Sequence, residues 1–288
     1  MASNGTVDRI LETVASLAPE IRAGLPGRRT GEVAAGENPT GDEQLAADLY
    51  ADELLAEALL AIDGVGTYAS EERPDTVGDG DGRYHVALDP LDGSSNLRSN
   101  NPMGTVLAVY DEPLPAPGSA LVASGFVLYG PVTTMTVARD GRVVESLVDE
   151  AGDREVVQEN LRLPAEPTVY GFGGRVPDWP DDFRAYVREV ESDPELKLRY
   201  GGAMIADVSQ VLTYGGIFSY PGLVSAPDGK LRTLFEGVPI AHIVETAGGA
   251  SSDGTGPLTE GTPERLHERT PVHVGNESLI ERLEDALD

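Results

Sequence analysis

Residues 84–96, YHVALDPLDGSSN, constrain this chain more than any other stretch. YHVALD is a compact, mostly apolar run of the kind that forms a buried strand. It ends on Asp89, and Asp92 follows three residues later. Along a regular strand, residues three apart point to opposite faces. For the two carboxylates to converge, the backbone must turn directly after Asp89. Pro90, which fixes φ and has no N–H, suits that exit from a ladder. Gly93 tolerates unusual φ/ψ, and Ser94, Ser95 and Asn96 can open a helix or a nest of N–H groups that binds an anion. As a bare D-x-x-D, the pair reads as a solvated acidic turn. As the longer string, it offers carboxylates to a hard cation beside donors for a phosphate, and a divalent cation relieves the repulsion between the two anions.

Acids elsewhere fit the second reading without proving it. TGDEQLAAD places Asp42 and Asp48 near the start of a predicted helix, six residues apart and only partly aligned. An N-cap and a surface acid are the plainer alternative. Glu71 and Glu72 end the predicted strand VGTYASEE and point apart on it, so one can hold a metal while the other faces water. Glu236 follows the apolar run LRTLF, where a buried carboxylate needs a cation or a partner. His85, His242, His267 and His273 are scattered, with no H-E-x-x-H spacing, and read as structural.

Composition narrows the classes further. The net charge is −28, from 49 acids against 21 bases, which repels nucleic acid and anionic membranes. Only Lys197 and Lys230 among the bases are lysines. An acid-rich, lysine-poor chain points to a salt-loaded cytoplasm, where the Debye length falls to about 3 Å near 1 M salt and dense like charges repel little. Each surviving lysine is then a candidate for a task arginine cannot perform. No apolar run of about 18 residues is present, the N-terminal stretch does not read as a signal peptide, and cysteine is absent.

Helical periodicity covers 7–25, a second helix beginning near Thr40 or Asp42 and running to Ile62, 181–192, about Ala203 to Leu212, 239–249 and 277–287. Strands are predicted at 65–72, 84–89 and 104–111, then in three successive segments from Ser119 to Val148. More follow at 168–174, before Tyr200, and at GIFSYP, KLRTLFE and TPVHVG. Helices and strands mix without strict alternation, which favours a layered α/β sandwich of mixed sheets. Pro164 and Pro167 mark a boundary between domains 1–167 and 168–288.

DPLDGSSN together with ASEE, TGDEQ, RYGGAMIADV, YGGIFSYP and GKLRTLFEGVPIAHIVETAGG resembles class I fructose-1,6-bisphosphatase, in order over roughly residues 40 to 275. It is similar more distantly to the inositol monophosphatases, which share the D-P-x-D-G core. The resemblance implies the α-β-α-β-α sugar phosphatase fold and a magnesium-dependent hydrolase, manganese being possible, with two or three ions per site. By resemblance, Asp89, Asp92 and Glu236 hold one ion. Glu71, Asp89 and the Leu91 carbonyl hold a second, and Asp42 with Glu71 assists a third or a water. Glu72 and Asp48 position and deprotonate the attacking water, with Glu71 counted among the catalytic acids. Asp92, Gly93, Ser94 and Ser95 face the departing phosphate. Tyr200, Tyr220, Met204 and Lys230 hold the sugar and its far phosphate, and Arg199 reaches a neighbouring subunit's site.

The reaction implied is removal of the 1-phosphate from D-fructose 1,6-bisphosphate, as in gluconeogenesis, by a cytoplasmic homotetramer or homodimer with no nucleic-acid or membrane partner. The alternatives are a sedoheptulose bisphosphatase or inositol monophosphatase, or a non-catalytic sugar-phosphate-binding protein. Many family members grip the 6-phosphate with an asparagine and a tyrosine three apart, where this chain has Phe172 and Arg175. Either Arg175 replaces the tyrosine as a phosphate donor, or the pocket takes a different sugar. The short N-terminal arm implies little inhibition by AMP.

Overall fold

The computed structural model describes residues 2–29, 33–39, 41 and 43–287. The first half runs α1 (Ala2–Gly24), β1 (Val33–Glu37), β2 (Glu43–Leu45), α2 (Ala46–Leu60), β3 (Val65–Ser70), β4 (Tyr84–Asp92) and the short α3 (Asn96–Ser99). A meander follows: β5 (Met103–Tyr110), β6 (Leu121–Tyr129), β7 (Thr133–Arg139), β8 (Arg142–Val148) and β9 (Arg154–Gln158). Strands β3 to β9 form one seven-stranded sheet in chain order, parallel between β3 and β4 and antiparallel beyond.

The second half runs β10 (Val169–Phe172), α4 (Asp181–Glu191), β11 (Lys197–Leu198), α5 (Met204–Tyr214), β12 (Gly216–Tyr220) and β13 (Leu231–Arg232). It closes with α6 (Val238–Thr246), β14 (Ala250–Ser252), β15 (Arg269–Thr270), β16 (Val272–Gly275) and α7 (Glu277–Leu287). Its five-stranded sheet has the order β11-β10-β12-β16-β14 and mixes parallel with antiparallel pairs.

Burial explains the layering. Helices α1 and α2 turn Val7, Ile10, Val14, Ile21, Leu55 and Leu59 onto one face of the large sheet. Helices α5 and α6 fill the space between the two sheets, so α6 is apolar almost all round, with Val238, Ile240, Ala241, Ile243 and Val244 buried. Helices α4 and α7 cover the far face of the second sheet through Phe183, Tyr186, Leu279 and Leu283. The result is the expected α-β-α-β-α sandwich. Strands β4 and β5 are buried on both faces, which is why their sequences run apolar without alternating.

Three local expectations are corrected. The second helix starts at Ala46, not near Thr40 or Asp42, both of which lie outside the described residues. Glu43–Leu45 is a strand, and the Asp48 carboxylate accepts the Leu45 N–H at 2.7 Å, which fixes the helix start there.

The chain does not turn after Asp89 either. Strand β4 continues to Asp92 through a bulge: Asp89 faces Val106 and Asp92 faces Gly104, so Pro90 and Leu91 together oppose Thr105. The extra residue converts a spacing of three, which would split the carboxylates, into one that leaves both on the same side. Pro90 has no N–H to lose from the ladder. Thr105 donates its hydroxyl to the Pro90 carbonyl at 2.9 Å, and Leu91 N–H donates to the Asp89 carboxylate at 2.9 Å.

KLRTLFE is likewise not one strand. It is the two-residue β13 followed by a π-helical turn, Thr233–Gly237, that leads into α6. The Glu236 carboxylate accepts the Arg232 N–H at 2.6 Å and closes that turn. Strands β9 and β14, which carry few apolar residues, escaped the sequence reading.

Candidate active site

A cavity of about 220 Å³ opens where the ends of β3 and β4 meet the N-terminus of α5 and the end of β12. Its acidic wall comes from four separate segments. Glu71 follows β3, Asp89 and Asp92 sit on the bulge of β4, Asp48 lies in the first turn of α2, and Glu236 lies on the π-helical turn. One oxygen each from Glu71, Asp89 and Glu236 lie within 4.8 Å of one another. Asp92 stands beside this trio and gives one oxygen, Oδ2, to the Ile205 N–H at 2.9 Å.

Crowding and burial act in the same direction on these acids. Asp89 is pushed well above the usual carboxylate range, by burial first and then by the charges of Glu71, Glu236 and Asp92. Glu236 moves the same way, by burial and Glu71, against the opposing pull of Arg232. Asp92 rises to about 7 and Asp48 to about 7, both chiefly by burial. Glu72, whose carboxylate accepts the Gln44 amide at 2.5 Å, rises to about 8 through burial and the charges of Glu71 and Asp48. The Oδ1 atom of Asp48 is buried with no hydrogen-bond partner. Buried like charges with open lone pairs, supplied entirely by oxygen atoms, suit a hard divalent cation. The donor set therefore fits magnesium or manganese.

Three residues that the sequence reading did not single out belong to this wall or its neighbour. Arg232, 6% exposed, places its guanidinium 3.0 Å from Glu71 Oε1 and 3.8 Å from Glu236 Oε2. Asn38 donates its side-chain amide to Glu71 at 3.1 Å. Asp207, 2% exposed on α5, borders the cavity on the side of Tyr200 and Tyr220. The signal that could have found Asp207 is the one used for Glu236, a lone acid inside an apolar run (here MIADV). Arg232 lies two residues after the rare Lys230 and carries no such local signal.

The remaining sequence-selected residues divide cleanly. Leu91, Gly93, Ser94 and Ser95 border the cavity beside the acids. Tyr200, Met204 and Tyr220 border it on the other side. The Tyr200 hydroxyl is held protonated, pushed up to about 12 by burial and by Tyr220, Asp207 and Asp92 nearby. Arg175, Arg199 and Lys230 do not line the cavity and are exposed. Arg199 instead lies over the Tyr214 ring and bonds Gln210 at 3.3 Å. Phe172 is buried among Tyr170, Trp179, Phe183 and Tyr186. Asp42 is outside the described residues.

None of the four histidines reaches the cavity. Three have partners within the fold: Thr67 for His85, Ser124 for His242 and the Arg73 carbonyl for His267. His273 packs near Phe183.

Fold and site together match the layered α/β architecture expected of the sugar phosphatases, with an acidic cluster that could hold a cation. Comparison with known proteins narrows this. The family profiles "Fructose-1-6-bisphosphatase, N-terminal domain" and "Fructose-1-6-bisphosphatase, C-terminal domain" match residues 13–157 and 163–288. The chain is 64% identical over 282 residues to a protein of Natronomonas pharaonis named fructose-1,6-bisphosphatase class 1, covering 98% of each. It is 62% identical over 283 residues to one of the same name in Halobacterium salinarum, covering 98% of this chain and 97% of that one. The crystal structure of Leishmania major fructose-1,6-bisphosphatase in holo form superposes with a TM-score of 0.90 at 28% identity, over 98% of this chain and 93% of that one. The chain belongs to the class 1 fructose-1,6-bisphosphatase family.

Proposed function

We infer that the chain is a phosphoric monoester hydrolase that removes the 1-phosphate of D-fructose 1,6-bisphosphate, giving fructose 6-phosphate and phosphate, with magnesium as cofactor and manganese as a substitute. One observation carries this reading. In a chain 64% identical to a fructose-1,6-bisphosphatase, a strand bulge gathers buried carboxylates beside a Gly-Ser-Ser loop and a pair of tyrosines.

Glu71, Asp89, Asp92 and Glu236, with the Leu91 carbonyl, would hold the cations, and Asp42 would complete the set. When bound, two such ions activate a water and stabilise the leaving alkoxide of an in-line displacement. The protein's own groups do the rest. Glu72, oriented by Gln44, and Asp48, oriented by the Leu45 N–H, accept the proton of the attacking water at their carboxylate oxygens. Arg232 holds Glu71 and Glu236 in place and offsets part of their charge. Gly93, Ser94 and Ser95 receive the departing phosphate. Tyr200 and Tyr220 donate hydroxyl protons to the sugar, with Met204 against its ring. Lys230 and Arg175, exposed outside the cavity, are the cations proposed to meet the 6-phosphate.

Three further parts of the proposal rest on wider features. The chain divides near residue 167, and every strand of the large sheet precedes that point while every strand of the second sheet follows it. It assembles as a homotetramer or homodimer in which Arg199 serves a neighbouring site; Leu198 and Tyr214 are 65% and 46% exposed beside it. It works in a saline cytoplasm, in keeping with its charge of −28 and its relatives in Natronomonas and Halobacterium. Among the described residues no helix is long and apolar enough to cross a membrane.

Phosphate release from a panel of sugar phosphates, in molar KCl with and without magnesium, tests the reading. The expected result is metal-dependent turnover that prefers fructose 1,6-bisphosphate. A preference for inositol monophosphate or sedoheptulose bisphosphate would reject it. Thermal melting from dilute buffer to molar KCl tests the saline setting: the midpoint should climb as self-repulsion is screened, and a flat midpoint would contradict it.

A further inference from the structure

The two halves of the molecule touch beside the cavity along a narrow seam. On one side is the loop Gly93–Asn96, and on the other the turn Tyr200–Ala203 that enters α5. Gly93 has φ +72° and packs against Ala203 so closely that a Cβ would collide with it. Asn96 reaches across the seam, donating its side-chain amide to the Gly201 carbonyl at 2.9 Å as well as to the Pro102 carbonyl at 2.8 Å. Gly202 has φ +80°, and an added Cβ there would stand 3.1 Å from the Asn96 side-chain oxygen.

Asp207 holds the same turn from behind. Its Oδ1 accepts the Gly201 N–H at 2.6 Å, and the Gly202 N–H also points to this carboxylate. The side chain is buried and its second oxygen, Oδ2, has no hydrogen-bond partner. Burial pushes the group up to about 7, against the two glycine N–H groups that favour its charge. A carboxylate here costs more desolvation than an apolar residue in MIADV would. It brings in return a charged acceptor, Oδ1, aimed at the glycine turn. The residue just before that turn is Tyr200, which borders the cavity.

We propose that Asp207 is a positioning residue for the sugar: by clamping the Gly201–Gly202 turn against the Gly93–Asn96 loop it sets the place of Tyr200, and with it the grip on the sugar end of the substrate. It acts through the turn and is not one of the Glu71–Asp89–Glu236 trio. The role rests on the reading of the chain as a fructose-1,6-bisphosphatase, and it separates recognition of the sugar from the binding of cations.

The test uses the full chain in molar KCl with three variants: D207A, which removes the acceptors, D207N, whose amide oxygen still accepts one N–H, and D207S, a smaller acceptor. For D207A, KM for fructose 1,6-bisphosphate should rise about tenfold or more, the scale of one hydrogen bond to a charged group, while kcat stays within about threefold. D207N should recover most of that KM. Manganese affinity of the substrate-free chain, titrated by paramagnetic resonance, should agree within about twofold for all forms. The proposal is overturned if D207A keeps the parent KM, if D207N is as impaired as D207A, or if manganese affinity falls in step with the rise in KM. Should D207A not fold, the same comparison is read from D207S against D207N. If the parent itself releases no phosphate from fructose 1,6-bisphosphate, the functional reading fails, and Asp207 is judged by the same KM-against-kcat split on whichever sugar phosphate the parent hydrolyses.

Discussion

On one wall of the cavity, Asp48, Asp89, Asp92 and Glu236 are nearly inaccessible, spaced by a bulge, a helix start and a π-helical turn, and raised in pKa by burial and by one another. On the other wall, Tyr200 is 49% exposed, Tyr220 is half-buried, and the cations expected to meet a second phosphate stand outside the cavity altogether. The acidic wall crowds like charges that protonation, Arg232 or a bound cation can relieve, and backbone N–H groups fix its carboxylates within the fold. The sugar wall is open and is held by a few hydrogen bonds to a glycine turn. On the proposed function, chemistry that all phosphomonoesters share would sit in the rigid part, and discrimination among sugars in the adjustable part.

Breaking the acidic wall should have the largest effect. For D89N we expect kcat/KM to fall at least about 10³-fold, since cation stabilisation of the reacting oxygens is worth several kcal/mol. The same variant should melt at a higher temperature than the parent in chelator, because burial and the neighbouring acids outweigh the single Leu91 N–H that favours a charge on Asp89. A variant that is both inactive and less stable without metal would mean that the crowding is not a source of strain.

The next effect separates proton transfer from cation binding. E72Q should lower kcat by about 10²- to 10⁴-fold while leaving manganese affinity close to that of the parent. Equal losses in both would move Glu72 from base to ligand.

The third prediction is a pH dependence confined to the acidic wall. These carboxyls have folded-state values above the unfolded range near 4, about 7 for Asp48 and Asp92 and about 8 for Glu72. The folded chain therefore binds more protons than the unfolded chain between those limits. Their contribution to stability is fully present below about pH 4 and is lost as pH rises through 7 to 8. The melting midpoint of the metal-free chain should drop across pH 5 to 8 in constant molar KCl, and saturating manganese should remove most of the slope. A slope unchanged by manganese would assign it to surface charge instead.

The smallest effect concerns the bulge. T105V removes the hydroxyl that bonds the Pro90 carbonyl and should cost about 1–3 kcal/mol, lowering the melting midpoint by a few degrees. No change would mean that the ladder alone holds the bulge.

Much of the architecture was legible because its signals are local. The continuous apolar runs of β4 and β5 announced strands covered on both faces, and the period of α4 and α7 announced helices lying on a sheet. Most of the cavity acids were legible too, since DPLDGSSN, SEE and an acid behind LRTLF are each odd in their own surroundings. What was not legible depends on distant partners. A regular strand sends Asp89 and Asp92 apart, and only pairing with β5 reveals the bulge that reunites them. Arg232 matters because Glu71, far away in sequence, lies 3.0 Å from it. Asn38 and Asp207 are defined in the same way, by Glu71 and by the Gly201 turn. Lys230 and Arg175 stood out by rarity and by position, yet rarity does not say where a long exposed side chain will rest.

The central question is whether the bulged strand and its neighbours share a cation. Crystals grown with manganese and measured at its absorption edge would show this. The expected result is an anomalous peak within about 2.0–2.6 Å of oxygens from Glu71, Asp89 and Glu236. Manganese found only at solvent-facing acids, with those three carboxyls turned away from a common point, would contradict it.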